Sequence, residues 1–120
     1  MGAAGELDSS MLRKGAQALL EEFPLQLVCI TMGGNGSLLV TREIFDQHPG
    51  IPIQVVDTIG AGDAFTAALT SYYLQSAALP VLNEAGNRWG SWVASQAGAM
   101  PALPEERREE INRAIMAVRE

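Results

Sequence analysis

The chain has 120 residues, 48% hydrophobic and 18% charged, and its eight Lys and Arg against fourteen Asp and Glu give a net charge of −6. That balance predicts one globular unit with a real core and excludes a fibrous or disordered protein, while scattered cations exclude a broad surface for nucleic acid or an anionic membrane. Cys29 is alone, which excludes an internal disulfide and fits a reducing, cytoplasmic compartment, and no apolar run reaches the roughly 20 residues of a membrane-spanning helix.

A first helix is expected from Asp8 or Ser9 to Glu22, because Leu12, Ala16, Leu19, Leu20 and Phe23 recur at helical spacing behind a capping side chain, and Pro24 ends it. Leu27 to Thr31 and Ser37 to Thr41 read as two short strands joined by the tight turn Gly33-Gly34-Asn35-Gly36. The pattern breaks up from Arg42 to Pro52, and Ile53 to Val56 is the expected third strand. Helices follow from Gly62 or Asp63 to about Ser76, from Pro80 or Val81 to about Gln96, and from Pro104-Glu105 to the end. The result is an α/β chain whose strands LVCI and LLV are apolar on consecutive positions, as in sheets covered on both faces. So narrow a sheet predicts an open edge and pairing with a second copy or another subunit. Cys29, within LVCI, is expected to be a buried, inert thiol. His48, in a Pro/Gly-rich loop without a second His or Cys, reads as a surface residue.

The segment Asp57-Thr58-Ile59-Gly60-Ala61-Gly62-Asp63 leads from the third expected strand into a helix. Helix-start N–H groups lack intrahelical acceptors and carry the positive end of the dipole, and glycines let a phosphate approach them closely. The segment lacks the Gly-Lys-Ser/Thr of a Walker loop, and Phe65 stands where a dinucleotide fingerprint needs its third glycine. Asp63 is a carboxylate where phosphate oxygens belong, a position from which it could accept the proton of an attacking hydroxyl. On that residue alone an N-cap role is equally open. Asn83, Gly86, Asn87, Gly90, Ala94 and Ala97 form a small face on the second of the later helices, which suits close packing and a ligand pocket equally well.

The nine residues DTIGAGDAF, Asp57 to Phe65, resemble without a gap the second signature of the phosphofructokinase B-type, ribokinase-like carbohydrate kinases. The resemblance implies the C-terminal portion of a ribokinase-like three-layer α/β/α fold, with about three strands and four helices in this chain. It implies ATP-dependent phosphorylation of a sugar hydroxyl, with Mg²⁺ and, as a second cation, K⁺. Asp63 becomes the catalytic base, and Gly60, Ala61 and Gly62 become the backbone anion hole. The T-x-G-x-x-G spacing of Thr31, Gly33 and Gly36 resembles the family's strand and turn beside the ATP phosphates, although a glycine-rich hairpin has the same look. Gly62 joins these residues, and Asn87, eleven residues before Gly98, resembles the adenine-side residue. Asp57, Ile59, Val93, Gln96 and Gly98 correspond to the monovalent-cation site, with turn capping the other reading of Asp57 and with Ala102 where many relatives carry a hydroxyl.

The resemblance covers only the C-terminal part of the family's length, so the sugar-binding half, the lid and the magnesium-associated Asn-x-x-Glu segment are expected to be missing. Similarity of ASQAGAMPALP and HPGIPIQVVDT to fructokinase-like members makes fructose the first substrate, ahead of ribose, another sugar or a nucleoside. The alternative is a non-catalytic, nucleotide-binding or self-assembling module of the same descent.

Overall fold

The computed structural model describes residues 8–97 and 103–118. Helix α1 spans Ser9–Glu22, and its start is fixed by Asp8, whose carboxylate accepts the Ser10 N–H at 3.0 Å. That backbone hydrogen bond holds the Asp8 carboxyl below its ordinary range. The other end is closed from outside the helix. The Arg42 guanidinium donates to the carbonyls of Leu20 (2.5 Å), Leu25 (2.5 Å) and Phe23 (3.3 Å), acceptors that a helix end otherwise leaves to water.

Strands β1 (Val28–Thr31), β2 (Ser37–Val40) and β3 (Phe45–His48) form an antiparallel sheet in the order β1-β2-β3. Ile30 stands opposite Leu38, and Leu38 opposite Gln47. One 3₁₀ turn, Gly33–Asn35, joins β1 to β2 as the glycine run predicts. Every residue of β2 is buried, and its alternation explains the layering. Leu38 and Val40 pack with Ala16 and Leu20 of α1 on one face, while Leu39 packs on the other with Leu79 and Leu82.

Those two leucines belong to α3 (Leu79–Ala94), which lies between the sheet, α2 (Ala61–Leu74) and α4 (Glu105–Ala117). Ile111 and Ile115 of α4 pack on Val81 and Ala85. Helices α2 and α3 approach closely because α3 carries glycines at the crossing. A Cβ on Gly86 would stand 2.7 Å from the Phe65 ring, and one on Gly90 would stand 3.1 Å from the Ala61 carbonyl oxygen. The small face of α3 therefore serves packing, and as shown below it also lines a cavity. The architecture is α/β with three strands and four α-helices among the described residues, as expected.

Three local expectations are corrected. The third strand is Phe45–His48 and not Ile53–Val56. A turn at Thr41–Ile44, closed by Thr41 N–H to Ile44 O at 2.8 Å and by Thr41 Oγ1 accepting from Ile44 N–H at 3.1 Å, delivers Phe45–His48 straight onto β2. The Val56 N–H instead goes to Ala94 O of α3 at 2.8 Å, while Ile53, Val55 and Val56 are exposed. Second, Cys29 is exposed and not fully buried, although partial desolvation still pushes its thiol up to about 11, which keeps it protonated and a poor nucleophile near neutral pH. Third, His48 is no surface residue, since its side chain is only 12% exposed and bonds to Glu84. No helix among the described residues is long and apolar enough to cross a membrane.

Candidate functional site

The strongest chemical expectation falls at the start of α2. Gly60 holds the cap position with φ 84°, a left-handed conformation that glycine adopts without strain, and Ala61 N–H turns back to Thr58 O at 3.1 Å. Just before it, the Asp57 carboxylate accepts the Ile59 N–H at 2.9 Å and so braces the turn. Because Gly60 is the cap and no side chain caps this helix, Asp63 is not an N-cap. It sits in the first turn with its side chain exposed, and it has no hydrogen bond or ion pair among the described residues. Neither the Gly62 nor the Asp63 N–H meets a protein acceptor there, leaving two donors at the positive end of the helix dipole.

Beside this helix start lies a cavity of about 300 Å³. One wall is the turn after β1, another is the segment from Gly50 to Val55, and α2 and α3 complete it. All five residues expected at a nucleotide, Thr31, Gly33, Gly36, Gly62 and Asn87, line it, and so does Ala61. Gly60 and Asp63 flank Ala61 and Gly62 in the chain and do not themselves line it. Gly50, Ile51, Ile53, Val55, Thr58, Phe65 and Ser91 also line the cavity but were not among the expected site residues. The usable signal was the alternation Ile51, Ile53, Val55, which puts apolar side chains on one side of an extended segment whether or not that segment joins a sheet.

Asn87 reaches the cavity from inside a buried polar network. Its Nδ2 donates to Ser37 Oγ and to Asn83 O, both at 2.8 Å, and Ser37 Oγ donates to Asn83 Oδ1 at 2.5 Å. Asn83 Nδ2 in turn donates to the Asp46 carbonyl at 2.9 Å and carboxylate at 2.7 Å. The network locks α3 to β2 and β3, and no buried polar side-chain atom among the described residues lacks a partner. The side-chain nitrogen of Asn87 is thus already committed to protein oxygens.

The residues expected around a monovalent cation are partly gathered. Asp57 N–H donates to Ala94 O at 3.0 Å, which draws the Asp57 turn to the end of α3 between buried Val93 and half-buried Gln96. The Gln96 amide donates to Ser95 Oγ at 3.1 Å, and Ile59 is 63% exposed. Gly98 and Ala102 lie outside the described residues. No group of three or more His, Cys, Asp or Glu side chains that could hold a metal occurs among the described residues.

A charged cluster missed by the sequence borders the Gly50 wall. Glu84 Oε1 pairs with His48 Nε2 at 2.7 Å, and Glu84 Oε2 pairs with Arg88 Nε at 2.5 Å. Burial pushes the Glu84 carboxyl up, but the hydrogen bonds from Arg88 and His48, together with the Arg88 charge, outweigh burial and hold it below its ordinary 4.5. A carboxyl lowered in the folded state stabilises the fold above its unfolded value, and that contribution is lost as the pH falls through the folded value. Thermal melts of Glu84→Gln and the native chain should therefore differ most near neutral pH and converge as the pH falls through the lowered folded-state value of Glu84. A gap that persists undiminished in acid contradicts the pairing.

A family model for pfkB family carbohydrate kinases matches residues 2–106. A deoxyribokinase from Salmonella typhi is 38% identical over 65 residues, covering 54% of this chain and 21% of that protein. Fructokinase-1 from Oryza sativa subsp. japonica is 35% identical over 89 residues, covering 68% of this chain and 28% of that protein. Among solved structures, phosphofructokinase-2 from Escherichia coli in complex with potassium superposes with a TM-score of 0.77 at 24% identity, over 92% of this chain and 35% of that one. The fold is ribokinase-like, and the chain spans between 21% and 28% of the length of these two curated relatives.

Proposed function

Because the chain belongs to the pfkB family of carbohydrate kinases, we propose that it is the nucleotide-side part of an ATP-dependent sugar kinase with Asp63 as its base. The observation that carries this reading is the convergence of Thr31, Gly33, Gly36, Gly62 and Asn87 on one cavity beside the unbonded N–H groups at the start of α2. ATP phosphates would lie along the glycine turn and this helix start, whose backbone donors need no side-chain cation. The Asp63 carboxylate takes the proton of the acceptor hydroxyl as its oxygen attacks the γ-phosphorus and the bond to ADP breaks. The unbonded Gly62 N–H holds charge on the transferred phosphoryl oxygens, while Gly60 and Ala61, whose own N–H is taken by Thr58 O at 3.1 Å, shape the turn that presents it.

This chain offers Mg²⁺ no protein cage among the described residues, and the ion's preference for phosphate oxygens and water suits carriage by ATP. Carbonyls near Val93, Gln96 and Gly98, with Asp57 and Ile59, are the proposed K⁺ site, supported by the potassium complex of phosphofructokinase-2. Fructose is the proposed acceptor, supported by the likeness to a fructokinase, with deoxyribose the rival that the likeness to a deoxyribokinase raises. A cytoplasmic setting suits a chain whose one cysteine has no disulfide partner.

Calorimetric titration of the 120-residue chain with Mg·ADP tests the reading at its base. Saturable binding of one nucleotide per chain is the expected result. Heat no greater than dilution at millimolar ADP would remove the cavity as a nucleotide site.

A further inference from the structure

The His48 ring is held from two sides, and the two contacts have different consequences. Nδ1 accepts the Gly50 N–H at 2.9 Å, so the neutral ring carries its proton on Nε2 and donates it to Glu84 of α3 at 2.7 Å. Arg88 fixes the far oxygen of Glu84 at 2.5 Å. Gly50, with φ 95°, is pressed against the glycine turn, since a Cβ there would stand 2.5 Å from Gly34 O and 3.1 Å from Gly36 N. The fit is reciprocal, because a Cβ on Gly36 would stand 2.7 Å from Gly50 N and overlap the His48 carbonyl oxygen. Gly34, Gly36 and Gly50 all line the cavity.

We propose that His48 is a positioning residue for nucleotide binding, acting through the Gly50 N–H to hold the glycine turn in the shape that the cavity requires. The inference rests on the nucleotide reading given above. The group that matters is Nδ1, a single acceptor placed where backbone would otherwise lose its partner. The Glu84 contact orients the ring but does not itself touch the wall.

Two substitutions separate these contacts. In His48→Asn the short side-chain oxygen can accept the N–H two residues on, as Asx turns do, but gives up Glu84. In His48→Gln the longer amide can reach Glu84 but does not supply the local acceptor. Calorimetry with Mg·ADP should find His48→Asn within about twofold of the native chain and His48→Gln weakened about tenfold, the loss of one acceptor for a partly buried donor. Melting temperatures of both variants show whether folding alone explains the difference. Equal affinities in all three chains, or equal losses in both variants, overturn the positioning role while leaving the nucleotide site standing. A native chain that binds no ADP sinks the nucleotide reading and this inference together. Should His48→Gln fail to fold, amide exchange at Gly50 in the native chain decides: exchange slowed by ADP is expected, and exchange indifferent to ADP overturns the proposal.

Discussion

Asp63→Asn is expected to lower phosphoryl transfer in the complete kinase by about 10²- to 10⁴-fold while leaving the Mg·ADP affinity of this chain within about twofold. The reason for so uneven an effect is that Asp63 performs no other visible task. The helix is capped by Gly60, and the Asp63 carboxylate has no hydrogen-bond or ion-pair partner among the described residues. Asparagine keeps the shape and leaves the backbone N–H groups of Gly62 and Asp63 in place, so the donors for phosphate survive. What it removes is a basic oxygen for the acceptor proton. It also removes a negative charge favoured at a helix N-terminus, worth about 0.3–1 kcal/mol of stability, but that charge repels phosphate, so ADP affinity does not fall with it. Steady-state rates with saturating ATP and fructose, the proposed acceptor, read the first effect, and calorimetry reads the second. Turnover equal to that of the native enzyme would remove Asp63 as the base.

The elements that were legible in the sequence are those fixed by local chemistry. Asp8 before a helical repeat, Pro80 near a helix start and the glycine run after Thr31 each act on backbone within a few residues, and α1, α3 and the first hairpin appear where those signals put them. The glycines of DTIGAGDAF are likewise a local device, and the structure gathers Gly62 with Thr31, Gly33, Gly36 and Asn87 around one cavity. What was not legible depends on partners far along the chain. Phe45–His48 is polar at three of its four positions and became a strand because β2 offered an edge, whereas the more apolar Ile53–Val56 gave its last N–H to α3 instead. His48 was misread as surface because Glu84, the residue that binds its ring, stands 36 positions away. The commitment of Asn87 to Ser37 spans 50 positions, and no spacing rule connects them.

Gly36→Ala should be strongly damaging, lowering stability by about 2–6 kcal/mol and abolishing measurable ADP binding. Two costs combine. The backbone of Gly36 has φ 93° and ψ −146°, close to a region that essentially only glycine occupies, and a side chain there costs of order 1–3 kcal/mol. The new methyl would also stand 2.7 Å from Gly50 N and overlap the His48 carbonyl. Neither neighbour is a flexible side-chain tip, so relief requires the turn or β3 to move, at a further cost of roughly 1–3 kcal/mol. Such movement opens the wall shared by Gly34, Gly36 and Gly50, which is why ADP binding should fall with stability. Gly34→Ala is the control within the same turn, because nothing lies within 4 Å of the added methyl and φ there is not in the left-handed region. Thermal unfolding should show Gly34→Ala close to the native chain and Gly36→Ala lower by about 10 °C or more. Equal melting temperatures for the two variants would mean that Gly36 and Gly50 are not interlocked, and that the cavity wall is held by something other than the contact of these two backbones.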